Sequence, residues 1–186
     1  MKKSVFLLLS VILAACASRS SSPSFYTLPT RGDADVVSRD VVTVDVARVR
    51  IPEYIDRPQM VMVSDVNVDV NPDNRWVEGL SPMIQRRLIA NMVAHLPRAT
   101  ITDGALASAH GDYAVWVDIS RLDGELGGDS VMDAVYVITC DGTPHVTRRA
   151  HYTHATGDDY AAYAAAVGAM VDSLAHDIAR AVADIK

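Results

Sequence analysis

Val131-Met132-Asp133-Ala134-Val135-Tyr136-Val137-Ile138-Thr139-Cys140, followed directly by Asp141-Gly142, is the stretch on which the fold turns. Its length and its β-branched and aromatic content predict a strand. Side chains alternate along a strand, so Val135 and Val137 share one face while Ala134, Tyr136 and Ile138 share the other. Apolar residues on both faces predict cover on both sides. Asp141-Gly142 is a preferred pair for a two-residue hairpin turn, which needs positive φ. Residues 146–154 are therefore expected to return alongside, and their Arg148, Arg149 and His151 suit the edge of a sheet.

Upstream, Tyr113, Val115, Val117 and Ile119 alternate, with Trp116 on the opposite face, and the glycine-rich residues 123–128 turn the chain. Val42, Val44 and Val46 share one face of an earlier strand while Thr43 and Asp45 take the other, and Ile51-Pro52 ends it. Residues 60–70 read as one strand that is apolar on both faces at first and alternates later. Asn71-Pro72-Asp73-Asn74 after it reads as a turn. Ser81-Pro82 has the form of an N-cap followed by proline at the first helical position, and Ile84, Leu88, Met92, Val93 and Leu96 supply an apolar stripe. A helix over 82–96 follows, with Gln85, Arg86 and Asn91 on its outer face. Asp158 is the expected cap of a second, longer helix, whose stripe runs through Tyr160, Tyr163, Val167, Val171, Leu174, Ile178 and Ile185. The order β-β-α-β-β-β-α, with a strand buried twice, predicts an α/β fold. The expected form is a three-layer α/β/α sandwich with a mixed, largely antiparallel sheet and two main helices. A two-layer α+β arrangement is the alternative, and both bury the same core.

The first residues carry a separate message. Lys2 and Lys3 precede an apolar run too short to span a bilayer, and Leu13-Ala14-Ala15-Cys16 has the shape of a lipobox. Residues 1–15 are expected to be a signal peptide, and Cys16 to carry a diacylglyceryl thioether. Residues 16–24 form the lipidated cysteine and a small, polar, flexible tether, and residues 25–186 one domain. Two or three acyl chains on one cysteine suffice for stable anchoring. Ala17 resembles the default outer-membrane sorting residue, which places the protein on the periplasmic face of that membrane. Eight extended tether residues reach only about 25 to 30 Å.

Cleavage removes Lys2 and Lys3, so Lys and Arg fall from 17 to 15 against 23 acidic residues and the formal charge moves from -6 to -8. Such a balance disfavours nucleic acid and anionic headgroups as partners. Lipidation of Cys16 leaves Cys140 alone, which excludes an internal disulfide and reads as a small core residue.

The motifs of common chemistry are missing. His151 and His154 are three apart and point to opposite faces of a strand, so they do not chelate together. Asp69, Asn71 and Asp73 begin like a calcium loop, yet Asn74 and Leu80 stand where glycine and a bidentate glutamate belong. No G-x-S-x-G elbow, H-E-x-x-H, C-x-x-C or phosphate-cradling glycine loop occurs. Neither a catalytic residue nor a cofactor is expected, apart from the covalent lipid.

An early Phe25-Tyr26-Thr27-Leu28, then Tyr54-Ile55-Asp56-Arg57-Pro58-Gln59-Met60-Val61, then Arg75-Trp76-Val77-Glu78 ahead of a helix, resemble the PqiC/YmbA family, also called ABC-type transport auxiliary lipoproteins. The resemblance implies an outer-membrane lipoprotein that works with an MCE-domain periplasmic protein and an inner-membrane component. Such a system moves phospholipids or similar lipids between membranes and preserves envelope integrity. The resemblance also implies a three-layer α/β/α domain, no enzymatic activity and no cofactor, and its arrangements include a homo-oligomer ringing an elongated MCE partner. Carried over residue by residue, it marks Tyr54, Asp56, Arg57, Pro58, Gln59, Arg75 and Trp76 as candidates for partner binding. Each also has a structural reading. Arg57 would pair with Asp56 or another carboxylate, Pro58 would fix the entry to a strand, and Trp76 would be core. Two other function classes stand beside the docking role: a periplasmic lipoprotein that carries an acyl chain in its own cavity, and an envelope hydrolase.

Overall fold

Period-two burial builds the larger sheet. Val44 and Val46 of β2 (Thr43–Val46) are fully buried, and they stand in parallel register with Tyr113 and Val115 of β6 (Tyr113–Gly124). On β6, Val115, Val117 and Ile119 face Ile138, Tyr136 and Ala134 of β7 (Asp129–Cys140), so one continuous apolar face spans three strands. β8 (Thr143–Ala155) pairs antiparallel with β7 and lies at the edge, while β5 (Thr100–Thr102) pairs parallel with β2 at the other side. The strand order is β5-β2-β6-β7-β8. The β7–β8 turn places both Asp141 (φ 49°) and Gly142 (φ 75°) at positive φ, the conformation that a two-residue Asp-Gly turn requires.

This computed structural model describes residues 22–29, 35–37, 42–64, 66–104 and 111–185. The expected signal peptide, Cys16 and the expected tether up to residue 21 lie outside the described residues.

A second sheet, in the order β1-β4-β3, is formed by β1 (Ser24–Tyr26), β3 (Gln59–Ser64) and β4 (Asn67–Trp76). The single strand expected over 60–70 is thus a hairpin, since Val63 faces Val68 and Ser64 faces Asn67. Asn71-Pro72-Asp73-Asn74 does not reverse the chain. The register runs from Val61↔Val70 to Gln59↔Arg75, so five residues of β4 are taken up against two of β3. The Asn71 carboxamide oxygen accepts from the backbone amides of Asp73 and Asn74, both at 2.9 Å. The turn chemistry is present, and it folds a bulge inside one strand.

Helix α1 (Leu80–His95) and helix α2 (Tyr160–Asp184) lie side by side over the face formed by Val44, Val46, Val115, Val117, Tyr136 and Ile138. The α/β class, with mixed sheets and two main helices, is therefore what the chain adopts. Tyr152 donates to the Asp177 carboxylate at 2.6 Å and Gln85 donates to the Val46 carbonyl at 3.0 Å, which ties each helix to the strands beneath it. Between the helices, Arg87 makes a bidentate pair with Asp172 (2.8 and 3.0 Å), and Asn91 donates to the same carboxylate. Asn91, expected on the outer face of α1, is therefore buried, because its partner waits on the neighbouring helix.

Two caps differ from expectation as well. Ser81 does not cap α1: its hydroxyl donates to the Val49 carbonyl at 2.6 Å, and the N-cap position is Gly79. Asp159, one residue after Asp158, caps α2 by accepting from the Ala162 amide at 2.8 Å. The expectation that residues 131–140 are buried on both faces is corrected too. Ser130, Met132, Ala134, Tyr136 and Ile138 are buried, whereas Val131, Val135 and Val137 are half-buried. Both helices cover one face, and among the described residues no helix covers the other.

Candidate functional site

The residues singled out by the resemblance converge. Residues 54–58 form turns that lead into β3, Gln59 stands in register with Arg75, and the Trp76 amide donates to the Pro58 carbonyl at 2.7 Å. Pro58 therefore does fix the entry to β3. Asp56 accepts from the Ser81 amide at 3.3 Å in the first turn of α1 and pairs with Arg48 at 3.7 Å. A carboxylate at that place satisfies an open helix amide and meets the positive end of the helix dipole. Arg48, not Arg57, is the partner of Asp56. Replacing Asp56 by Ala is expected to lower stability by about 1 kcal/mol, to be read as a shift in the urea midpoint at unchanged slope. An unaltered midpoint would remove Asp56 from the capping role.

Trp76 is only 2% exposed and its ring stands 6.1 Å from that of Tyr163 on α2. Gly124 at the end of β6 lets Tyr163 approach, since a Cβ there would overlap the ring. Desolvation first, and then the Asp123 carboxylate, pushes the Tyr163 hydroxyl above its ordinary pKa. The same two causes, in the same order, raise that of Tyr54, which is 41% exposed beside Asp123. Asp123 in turn pairs with Arg121. These contacts join the small sheet to β6 and α2. Trp76 and Asp56 belong to the framework, and Arg75 turns back to donate to the Pro72 carbonyl at 2.9 Å. Tyr54, Asp56, Arg57 and Pro58 are exposed, while Gln59 is half-buried.

The open face of the five-stranded sheet offers different chemistry. Trp116, 55% exposed, stands across from Val137, an aromatic and a β-branched residue paired on the water side. In the next row Asp118 faces Val135, which faces Arg149 on β8. The chain after β2 continues along β6, since Arg50 donates its amide to Val117 (3.0 Å) and accepts from the Ile119 amide (2.9 Å). This sets Arg48 and Arg50 at the border of the face, with Arg50 paired to Asp118 at 3.6 Å. A shallow cavity of about 540 Å³ lies over Arg48, Arg50, Trp116, Val135 and Val137. A second, of about 530 Å³, lies over Asp133, Arg149 and His151, and the two share Ser120 and Val135. The alternation of 113–119 set Trp116 on the opposite face of its strand, but the expected second layer over this face hid its importance.

A hydroxyl, an imidazole and a carboxylate also stand in line on this face. His151 Nδ1 lies 2.6 Å from Asp133 and its Nε2 lies 3.4 Å from the Thr153 hydroxyl. His151 and Thr153 are exposed, the threonine contact is loose, and the array has the character of solvated cross-strand pairing. Among the described residues no group of three His, Cys, Asp or Glu side chains is placed to hold a metal ion. His151 stands opposite Asp133 and His154 opposite Ser130, so the two histidines point to opposite faces. Cys140 is a half-buried free thiol at the end of β7, packed against the margin of the core.

Comparison with known proteins places this geometry. The model of a family described as ABC-type transport auxiliary lipoprotein component matches residues 26–179. The fold is shared with a crystal structure of an uncharacterized protein, at TM-score 0.73 and 21% identity over 87% of this chain and 99% of that one. It is shared as well with a crystal structure from Xanthomonas campestris, at TM-score 0.70 and 13% identity over 86% and 94% of the two chains. None of the curated proteins matches the chain.

Proposed function

The chain belongs to the family of ABC-type transport auxiliary lipoprotein components, and we propose that it is the outer-membrane subunit of an MCE-type system that moves phospholipids between the two membranes. In this reading Cys16 carries the lipid and residues 25–186 act as a non-catalytic docking module that supports envelope integrity. The observation that carries it is the order of parts: a lipobox ending at Cys16, a short polar tether, and a family match that begins at residue 26. Ala17 after the cysteine supports the outer membrane as the destination. The tether reaches only about 25 to 30 Å, so engagement of an inner-membrane component runs through an elongated periplasmic partner carrying MCE domains. No helix among the described residues is long and apolar enough to cross a membrane. The exposed Trp116 beside Arg48 and Arg50 supports binding of a protein partner, since Trp and Arg are the residues that dominate interface energetics.

The test is fractionation and recovery from the native envelope. The protein is expected in the outer-membrane fraction of a density gradient, and mild detergent extracts are expected to yield it together with an MCE-domain protein. A strain lacking it is expected to become sensitive to anionic detergent. Recovery in the inner membrane, or purification with one phospholipid held per chain and no protein partner, would replace this reading with that of a lipid carrier.

A further inference from the structure

We propose that the open face of the five-stranded sheet, centred on Trp116 and bordered by Arg48, Arg50 and Arg149, docks an acidic segment of the partner protein. The proposal rests on the reading of this chain as a docking subunit and assigns the surface that does the docking.

An antiparallel sheet with one face in water ordinarily carries polar residues there, by strict alternation. Here the outward row of β7 is Val131, Asp133, Val135, Val137 and Thr139, with Trp116 next to Val137 on β6. Three valines and a tryptophan on a water-facing sheet form an apolar strip that a second surface would cover. The two shallow cavities meet at Ser120 and Val135, so Trp116, Val135 and Val137 lie in a continuous groove across β6, β7 and β8. A groove this open leaves much of a lone acyl chain in water, whereas ligand sites enclose most of their guest. A protein surface fits it better.

Charge selects the kind of partner. The mature chain has a formal charge of -8 once Lys2 and Lys3 are gone, yet this groove is lined by three arginines, Arg48, Arg50 and Arg149, against two carboxylates, Asp118 and Asp133. Arg50 and Arg149 stand at opposite ends of the row Arg50, Asp118, Val135, Arg149, and Arg48 lies at the mouth beside Trp116. The ion pairs of Arg48 with Asp56 (3.7 Å) and of Arg50 with Asp118 (3.6 Å) are long, and the arginine side chains are 75% and 81% exposed. Pairs of that kind hold their partners weakly in water, which leaves both guanidinium groups free to exchange onto another carboxylate. A segment with acidic residues flanking apolar ones complements this pattern.

The experiment places a photo-crosslinking amino acid at position 116, and at position 93 on the exposed side of α1 as a control, in the full-length lipoprotein in living cells. The expected result is an adduct from 116 whose crosslinked peptide lies in an acidic stretch of an envelope transport protein. Arg50→Glu with Arg149→Glu, checked for an unchanged melting temperature, is expected to weaken that complex by about tenfold or more. Reversing acidic residues of the captured segment to lysine is expected to restore it. Adducts only from position 93 would overturn the face and leave the docking role standing. Adducts from 116 to phospholipid, or to a second copy of this chain, would overturn the acidic partner. No protein adduct at either position would overturn the docking role together with the face.

Discussion

Cys16→Ser is expected to move the protein completely from the membrane fraction to the soluble periplasmic fraction, with the folded body unchanged. A single acyl chain binds a bilayer reversibly, with an association constant of about 10⁴ M⁻¹, and each buried methylene contributes about 0.8 kcal/mol. Two or three chains on one residue make release negligible, so loss of the sulfur that carries them removes all of the attachment rather than a part. The folded body does not depend on that residue, because the core among the described residues begins at Leu28 and runs through the strands and helices from there. The expected observations are thus three: loss from the pellet after a carbonate wash, an unchanged melting temperature, and a native mass that exceeds the bare polypeptide by the lipid. A variant that stays in the membrane, or a native chain whose cysteine mass is bare, ends the lipoprotein mechanism for this residue.

The parts of the fold that were legible in the sequence are those where hydropathy and geometry share a period. Val42, Val44 and Val46 are all buried as their alternation implies, and β8 is at the edge, where its arginines and histidines suit it. What escaped depends on partners distant in the chain. Asn91 and Arg87 look like surface residues of α1 until Asp172, more than 80 positions away, is laid against them. The β3–β4 hairpin turns without glycine or proline, while the strongest turn chemistry nearby, Asn71 to Asn74, serves a bulge. The candidate residues from 54 to 76 do gather in one place, but the tilted ring contact of Trp76 with Tyr163 decides that the cluster is a joint. Trp116 was readable as lying on the opposite face from Val115 and Val117, and its significance rests on the side of β7 that the helices leave uncovered.

Asp172→Ala is expected to cost about 3–5 kcal/mol, because it leaves the Arg87 guanidinium buried without its counter-charge. The side chains of Arg87 and Asp172 are only 5% and 10% exposed, so solvent does little to screen the loss. The Asn91 amide loses its acceptor in the same step. For a chain of this length the melting temperature is expected to fall on the order of 10 °C. Replacing Arg87 by Met, Asn91 by Leu and Asp172 by Leu together fills the same space with apolar groups and leaves no charge stranded. That triple variant is expected to be near neutral or more stable, since a buried ion pair gives back in desolvation most of what attraction gains. The comparison separates two roles. If the triple variant is stable and still captures the partner, the network sets only the register of α1 on α2. If it is stable and capture fails while the open sheet face is untouched, docking runs through the helix pair, and the assignment of that role to Trp116 and its neighbours is lost.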